Sequence, residues 1–187
     1  MTTPIRSYRG HLLVAVPKML DPNFFQTVTL MVAHDEEQAL GLVLNRPSQT
    51  TLREAWQQVE SGACPADGFL HFGGPCQQVL SALHADSALS NLEVLPGLYF
   101  TQEAEKLRLL VEQRSTPIRF FVGFAGWGAG QLEAELREGA WLTGAASREE
   151  VFGDPTQLWE RWAKRLGRPR SSMLFGIKDP PPDPSVN

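Results

Sequence analysis

Runs of apolar and β-branched residues along the chain predict a fold rich in strands. The segments have strand length, and each ends at turn-forming or polar residues. The four clearest runs cover residues 11–16, 27–33, 39–44 and 118–124, and the last is the most apolar. Shorter strands are predicted at residues 69–72, 78–84 and 140–143, and residues 94–100 contain a Pro-Gly turn at 96–97 followed by a short strand. The polar residues 34–37 are typical of a hairpin loop between two of these strands.

Other segments carry apolar side chains at helical spacing. Thr51 followed by Glu54 forms a capping-box pattern at the start of one helix. Thr101 can cap a second helix, and Asp154-Pro155 supplies a cap and a first residue for the last one. A short helix is predicted at residues 131–137. Strands that alternate irregularly with short helices predict a mixed α/β or α+β domain and not a doubly wound parallel sheet.

The two ends of the chain differ from its centre. Residues 1–9 are polar, and we expect them to be frayed. Residues 168–187 include a stretch with four prolines among its last nine positions, which predicts an extended or disordered tail. No repeat or linker interrupts residues 10–167, so we expect one globular domain there.

Composition excludes several classes of protein. The chain has 187 residues, 42% of them apolar and 20% charged, which is typical of a globular domain. No apolar run approaches the roughly 18 residues of a membrane-spanning helix, and no signal-peptide core precedes residue 10. Two cysteines give no disulfide framework. A formal net charge of −4 argues against nucleic-acid binding by the isolated domain.

The residues that could carry chemistry form no recognised catalytic or metal-binding motif. Cys64, His71, Cys76 and His84 lie close in sequence, but their spacing lacks the tight chelating pair of structural zinc sites. No nucleophile elbow is present. A Cys76–His84 dyad stays open, because the partners of a dyad meet in space and not in sequence. We therefore predict neither metal nor cofactor, and we lean against an enzyme.

The glycine-rich residues 123–130 follow the most apolar strand, where phosphate loops occur. The glycine spacing does not match a dinucleotide or P-loop fingerprint, and Glu133 and Glu135 would repel a phosphate. A close crossing of two chain segments explains the glycines better. Trp127 stands between two glycines, so it is either a plug over the core or a platform for a ligand.

A basic stretch near the end of the chain is ordinarily a solvated helix face, although it could dock an acidic partner or a nucleic acid. Its members are Arg161, Lys164, Arg165, Arg168, Arg170 and Lys178.

Three short motifs stand at the ends of predicted strands: Asn45-Arg46-Pro47, Gly73-Gly74-Pro75 and Gly126-Trp127. With the segments at 12–17, 21–24, 41–44 and 130–136, in this order, they resemble the AlgH/YqgE-type family of bacterial proteins over residues 10–166. The resemblance implies a single cytoplasmic domain with a bent, partly barrel-like mixed sheet surrounded by short helices. It implies little about activity, because the family is largely uncharacterised. Some members carry the label of transcriptional regulator, and no catalytic residue is carried over.

The strand-end motifs are the best candidates for a binding surface, since sites collect at strand ends on such scaffolds. Arg46 would supply charge, Trp127 a flat apolar face, and Asn45 and Gln131 hydrogen bonds. Ordinary turn chemistry explains each motif equally well. The candidate surface comprises Asn45, Arg46, Pro47, Gly73, Gly74, Pro75, Gly126, Trp127 and Gln131.

These patterns predict a non-enzymatic binding or regulatory protein whose strand-end loops converge on a protein or small-molecule partner. A transcription-associated regulator, acting directly or indirectly on gene expression, is the first alternative. An enzyme that uses Cys76 or His84, with Glu133 or Glu135 as an acid, is the second.

Overall fold

The computed structural model describes residues 7–59, 68–113 and 117–167. Its strands form one sheet, and five short helices cover the sheet. The strands are β1 (His11–Ala15), β2 (Val28–His34), β3 (Gln38–Val43), β4 (Pro47–Thr51), β5 (Phe69–Phe72), β6 (Cys76–His84), β7 (Leu92–Leu95), β8 (Leu98–Thr101), β9 (Ile118–Gly128) and β10 (Trp141–Ala145). The helices are α1 (Leu52–Val59), α2 (Ala104–Glu112), α3 (Gln131–Arg137), α4 (Arg148–Phe152) and α5 (Leu158–Leu166).

The sheet runs in the order β10-β1-β2-β3-β9-β6-β8-β7, and neighbours along this path are antiparallel. β5 pairs in parallel with β9, and β4 pairs with β5. The sheet curls into a half-barrel, so that its two ends approach each other. A Cβ atom placed on Gly10, just before β1, would lie 3.0 Å from the carbonyl oxygen of Val94 in β7.

Alternating strand positions divide the core into layers, because successive side chains of a strand point to opposite faces. Leu12 and Val14 of β1 join the cluster inside the half-barrel, which α4 and α5 close with Val151 and Trp162. Leu13 and Ala15 join an outer cluster beside α3. A third cluster lies between the sheet and the helices α1 and α2. The prediction of a mixed, partly barrel-like sheet with short helices is thereby confirmed.

A local capping box explains where α1 begins, but the predicted cap of α2 is not formed. The Thr51 backbone N–H donates to Glu54 Oε2 at 2.7 Å, and the Glu54 N–H donates to Thr51 Oγ1 at 3.2 Å. The predicted capping box of α1 is therefore confirmed. The prediction for α2 was wrong, because the Thr101 hydroxyl donates to Asn91 Oδ1 and the helix is preceded by Glu103.

Two further elements differ from the sequence prediction. β9 continues through the glycine-rich segment as far as Gly128, because Gln38 and Gly41 of β3 pair with Gly128 and Ala125. The Asp154 carboxylate accepts the Thr156 N–H at 2.9 Å and closes a turn, so α5 begins only at Leu158.

The described start of the chain is held against the sheet, although we expected residues 1–9 to be frayed. The Ser7 hydroxyl donates to the carbonyl of His34 at 3.0 Å, and the Tyr8 N–H donates to His34 Nδ1 at 3.0 Å. Residues 1–6 and the predicted tail at 168–187 lie outside the described residues. Within the described part of the chain, no helix has the length and apolar character needed to cross a membrane.

Candidate functional site

The structure brings the first two strand-end motifs together. The Phe72 N–H donates to the carbonyl of Arg46 at 2.8 Å, and the Val43 N–H donates to the carbonyl of Gly73 at 2.9 Å. Pro47 pairs with His71 across β4 and β5. The motifs at 45–47 and 73–75 are thus adjacent through main-chain hydrogen bonds.

The second motif crosses β9 just before the third motif, at a contact that only glycine can form. A Cβ atom on Gly73 would overlap the carbonyl oxygen of Gly123, and one on Gly74 would overlap the backbone of Phe124. Gly74 also has φ = 151°, which side chains rarely allow. The glycines therefore let the β5–β6 connection lie directly on β9, next to Gly126. The close crossing predicted for the glycine-rich segment is thus present at Gly123, whereas Gly128 and Gly130 have open space around them.

Asn45 and Arg46 are both used to hold the loop at residues 17–26, hereafter the 17–26 loop. The side-chain oxygen Oδ1 of Asn45 accepts the Val28 N–H at 2.8 Å, and the side-chain amide Nδ2 donates to the main-chain carbonyl of Gln26 at 2.8 Å. Arg46 Nη2 donates to the carbonyls of Pro22 and Phe25 at 3.1 and 3.0 Å. These bonds fix the second half of the loop, where Gln26 has a left-handed φ of 54°.

The 17–26 loop is also anchored from within. The Asp21 carboxylate accepts the Asn23 N–H at 2.8 Å. The Phe24 ring stacks on Trp127 with a centroid distance of 6.1 Å and meets Trp141 edge-on at 5.4 Å. Such aromatic pairs add to the burial of their surfaces. Phe24 therefore fastens the middle of the loop to the core.

Trp127 is a plug over the core and not a ligand platform, because its side chain is only 4% exposed. Its Nε1–H donates to Glu135 Oε2 at 2.9 Å, and the Nε1–H of Trp141 donates to the same oxygen at 2.8 Å. The Gln131 amide donates to Glu135 Oε1 at 3.0 Å, while its carbonyl accepts the Gly128 N–H at 3.2 Å. Glu135 thus connects α3 to Trp127 of β9 and Trp141 of β10 beneath the 17–26 loop.

Two apolar side chains on the outer side of this loop were missed by the sequence analysis. Leu20 is 91% exposed and Phe25 is 47% exposed. Residues 21–23 (Asp-Pro-Asn) are typical of a turn, and this pattern does not indicate that the apolar residues on either side are exposed. Of the predicted site residues, Pro47, Pro75, Gly126 and Gln131 are exposed.

The structure contradicts the Cys76–His84 dyad. The two residues lie at opposite ends of β6, eight positions apart, which is about 26 Å in an extended strand. Cys76 pairs with Phe124, whereas His84 pairs with Ile118. His84 is fully buried, and desolvation lowers its pKa.

A second histidine, His34, has hydrogen-bond partners on both ring nitrogens. His34 Nε2 lies 2.8 Å from Glu133 Oε1, and His34 Nδ1 accepts the Tyr8 N–H. Because Nδ1 accepts, the proton belongs on Nε2 and is donated to the carboxylate. Both ring nitrogens are thus occupied in tying the start of the chain to α3. Across residues 7–59, 68–113 and 117–167, no group of three metal-binding side chains is assembled; Cys64 lies outside these ranges.

The fold and the site define a class of protein: an α+β domain with a half-barrel sheet. In this class the glycines at 73–74 lie directly on β9, and hydrogen bonds hold the 17–26 loop in place. The AlgH-like family model matches residues 12–171 of the chain, and the chain belongs to this family. The predicted resemblance is therefore confirmed.

Curated relatives of similar length support the assignment. A UPF0301 protein of Chlorobaculum tepidum is 40% identical over 184 residues, and the match covers 95% of this chain and 95% of the relative. A UPF0301 protein of Myxococcus xanthus is 35% identical over 170 residues, which is 88% of this chain and 94% of the relative.

Two solved structures have the same architecture. The solution structure of AlgH from Pseudomonas aeruginosa has a TM-score of 0.75 and 34% identity, covering 97% of this chain and all of that one. A crystal structure of a Corynebacterium diphtheriae protein has a TM-score of 0.70 and 22% identity over 95% of both chains, and this similarity concerns the fold alone.

Proposed function

We propose that this chain is a non-enzymatic cytoplasmic binding protein that contacts a protein partner through the 17–26 loop and its neighbouring strand ends. One observation carries the proposal: Leu20 and Phe25 project from a loop whose backbone is fastened on both sides. Large apolar side chains held at a surface mark interaction sites when they stand together.

The rigidity of the loop favours binding. Association costs free energy for every segment that becomes ordered, so a loop that is already fixed loses less. Asn45 and Arg46 hold the loop from one side, and Phe24 on Trp127 holds it from beneath. In this proposal Asn45, Arg46 and Trp127 position the surface and do not touch the partner.

The surface chemistry suggests what the partner offers. Leu20 and Phe25 need an apolar pocket, while the exposed Lys18 and Asp21 on the same loop suit a polar rim. Interfaces commonly combine an apolar centre with such a rim. Pro47, Pro75 and Gly126 would extend the contact area beside the loop.

Site-specific photo-crosslinking in cells of the source bacterium tests this proposal. A photoreactive amino acid replaces Leu20 or Phe25, and the exposed Ala88, on a distant helical turn, serves as the matched control. We expect one common partner from Leu20 and Phe25 that is absent from Ala88. With purified components, L20S/F25S should weaken binding at least tenfold. Equal affinity of L20S/F25S and the wild type would refute the proposal.

The exposed face of α5 favours a second candidate function, that of a transcription-associated regulator. Arg161, Lys164 and Arg165 are all exposed, and Arg165 lies 4.7 Å from the ring centre of Trp162. Binding of DNA through this face should weaken steeply with salt and should be lost in R161E/K164E. If the protein does not bind DNA at low salt, this second candidate function is refuted and only the first candidate stays.

A further inference from the structure

Two basic side chains are adjacent on the inner face of the half-barrel. Arg119 lies in β9, and His71 lies in β5 beside Phe121 in the parallel register. The His71 ring contacts the Phe121 ring at a centroid distance of 5.6 Å, which fixes the imidazole on that face. Arg119 is two positions before Phe121 and therefore shares its face. The guanidinium and the imidazole are thus diagonal neighbours, with Cβ atoms on the order of 7 Å apart.

Each of these side chains holds one buried nitrogen that has no partner. Arg119 Nη2 donates to the carbonyl of Gly153 at 2.6 Å, but Nη1 is buried and unpartnered. His71 Nδ1 is likewise buried and unpartnered. Buried polar atoms in folded proteins are almost always satisfied by protein, water or a ligand. Two neighbouring side chains thus each keep one nitrogen without a hydrogen-bond partner.

The charge at this place is also uncompensated. No ion pair to Arg119 occurs within the described residues. The Asp154 carboxylate acts on Arg119 from a distance, but it is exposed and accepts the Thr156 N–H. Burial lowers the pKa of Arg119, and burial together with the Arg119 charge lowers the pKa of His71 to about 4. A buried guanidinium without a counter-ion is costly, so a negative group would be stabilising here.

We propose that Arg119 and His71 bind a small oxyanion, the phosphoryl or carboxylate group of a ligand, inside the half-barrel next to the α4–α5 connection. Arg119 Nη1 donates to one anion oxygen, and His71 Nδ1, once protonated, donates to another. Charge-assisted bonds of this kind are the strong ones. Ser81 lies across β9 from His71 in the same row and adds a buried hydroxyl to this face. Arg119 and His71 are partly exposed as whole residues, although Nη1 and Nδ1 themselves are buried.

Nuclear magnetic resonance of the full chain tests the site without any variant. Inorganic phosphate or acetate is titrated at constant ionic strength, with chloride as the balancing salt, while the His71 ring nitrogens are observed. We expect a saturable shift of Nδ1 and a rise in the pKa of His71 by at least one unit. At ten times the dissociation constant, Tm should rise by about 3–5 °C. Saturation by phosphate alone identifies a phosphoryl ligand, and saturation by acetate alone identifies a carboxylate.

Matched variants separate this site from surface charge. R119K and H71N should weaken the anion affinity at least tenfold, whereas R161K, which alters an exposed arginine of α5, should not change it. L20S/F25S should bind the anion normally, so that loss of partner binding and loss of anion binding are distinguishable. A shift that does not saturate, that chloride reproduces, or that R119K retains in full would overturn the proposal and assign the two nitrogens to water.

Discussion

Removal of the Glu135 side chain should destabilise the fold because one carboxylate serves three donors. Its oxygens accept the indole N–H groups of Trp127 and Trp141 and the amide of Gln131. In E135A the two indole N–H groups lose their partner, while both rings remain enclosed by the aromatic contacts around Phe24.

The magnitude follows from the cost of an unsatisfied buried donor. Each donor that loses its partner costs about 1–3 kcal/mol, so two cost about 2–6 kcal/mol. A domain of this size has a total stability of about 5–15 kcal/mol. The corresponding decrease in Tm is about 4–24 °C, at about 2–4 °C per kcal/mol.

Urea unfolding followed by tryptophan fluorescence measures this effect. E138A is the control, because Glu138 is an exposed carboxylate that ends the same helix. A double-mutant cycle with W127F adds a second test: the Phe ring has no N–H, so E135A should cost about 1–3 kcal/mol less in that background. If E135A loses no more stability than E138A and the cycle shows no coupling, the reasoning about Glu135 is wrong.

Three other predictions follow from the geometry. G73A should lose about 3 kcal/mol or more by chemical denaturation, because its Cβ would overlap Gly123, whereas a Cβ in G128A meets open space. T51V should cost about 1 kcal/mol through the lost cap of α1, and circular dichroism during thermal unfolding would detect it. In phosphate-free buffer, the free energy of unfolding should fall as the pH drops from 6.5 towards 4. The reason is that the pKa of His71 is about 4 in the folded state, so the unfolded chain binds the proton more tightly. H71Q should reduce the dependence of stability on pH, and an unchanged dependence would count against the buried neutral imidazole.

Local signals in the sequence predicted much of the fold. The capping box at Thr51 and the apolar runs of β1, β2 and β3 depend on near neighbours, so they could be found without the tertiary structure. The continuation of β9 to Gly128 could not, because it depends on pairing with β3, far away in the sequence. Glycine is disfavoured in strands, and the pairing with β3 overrides this preference.

The candidate site shows the same division. The sequence picked out Asn45, Arg46 and Trp127, and the structure shows each of them supporting the 17–26 loop. Their hydrogen bonds and ring contacts reach distant segments, which spacing along the chain does not reveal. Leu20 was overlooked because the exposure of an apolar residue is decided by tertiary packing.

β9 also determines when the protein can fold during synthesis. It pairs with β3 and β5 along one edge and with β6 along the other, so the pairing of three earlier strands is incomplete until β9 has been synthesised. The Nε1–H of Trp159 then donates to the carbonyl of Ala15 at 2.7 Å, across 144 positions of sequence. Contacts of such long range slow folding. β3, β5 and β6 therefore leave the ribosome before β9 has been made, and a nascent chain stopped before residue 118 should depend on chaperones to stay soluble.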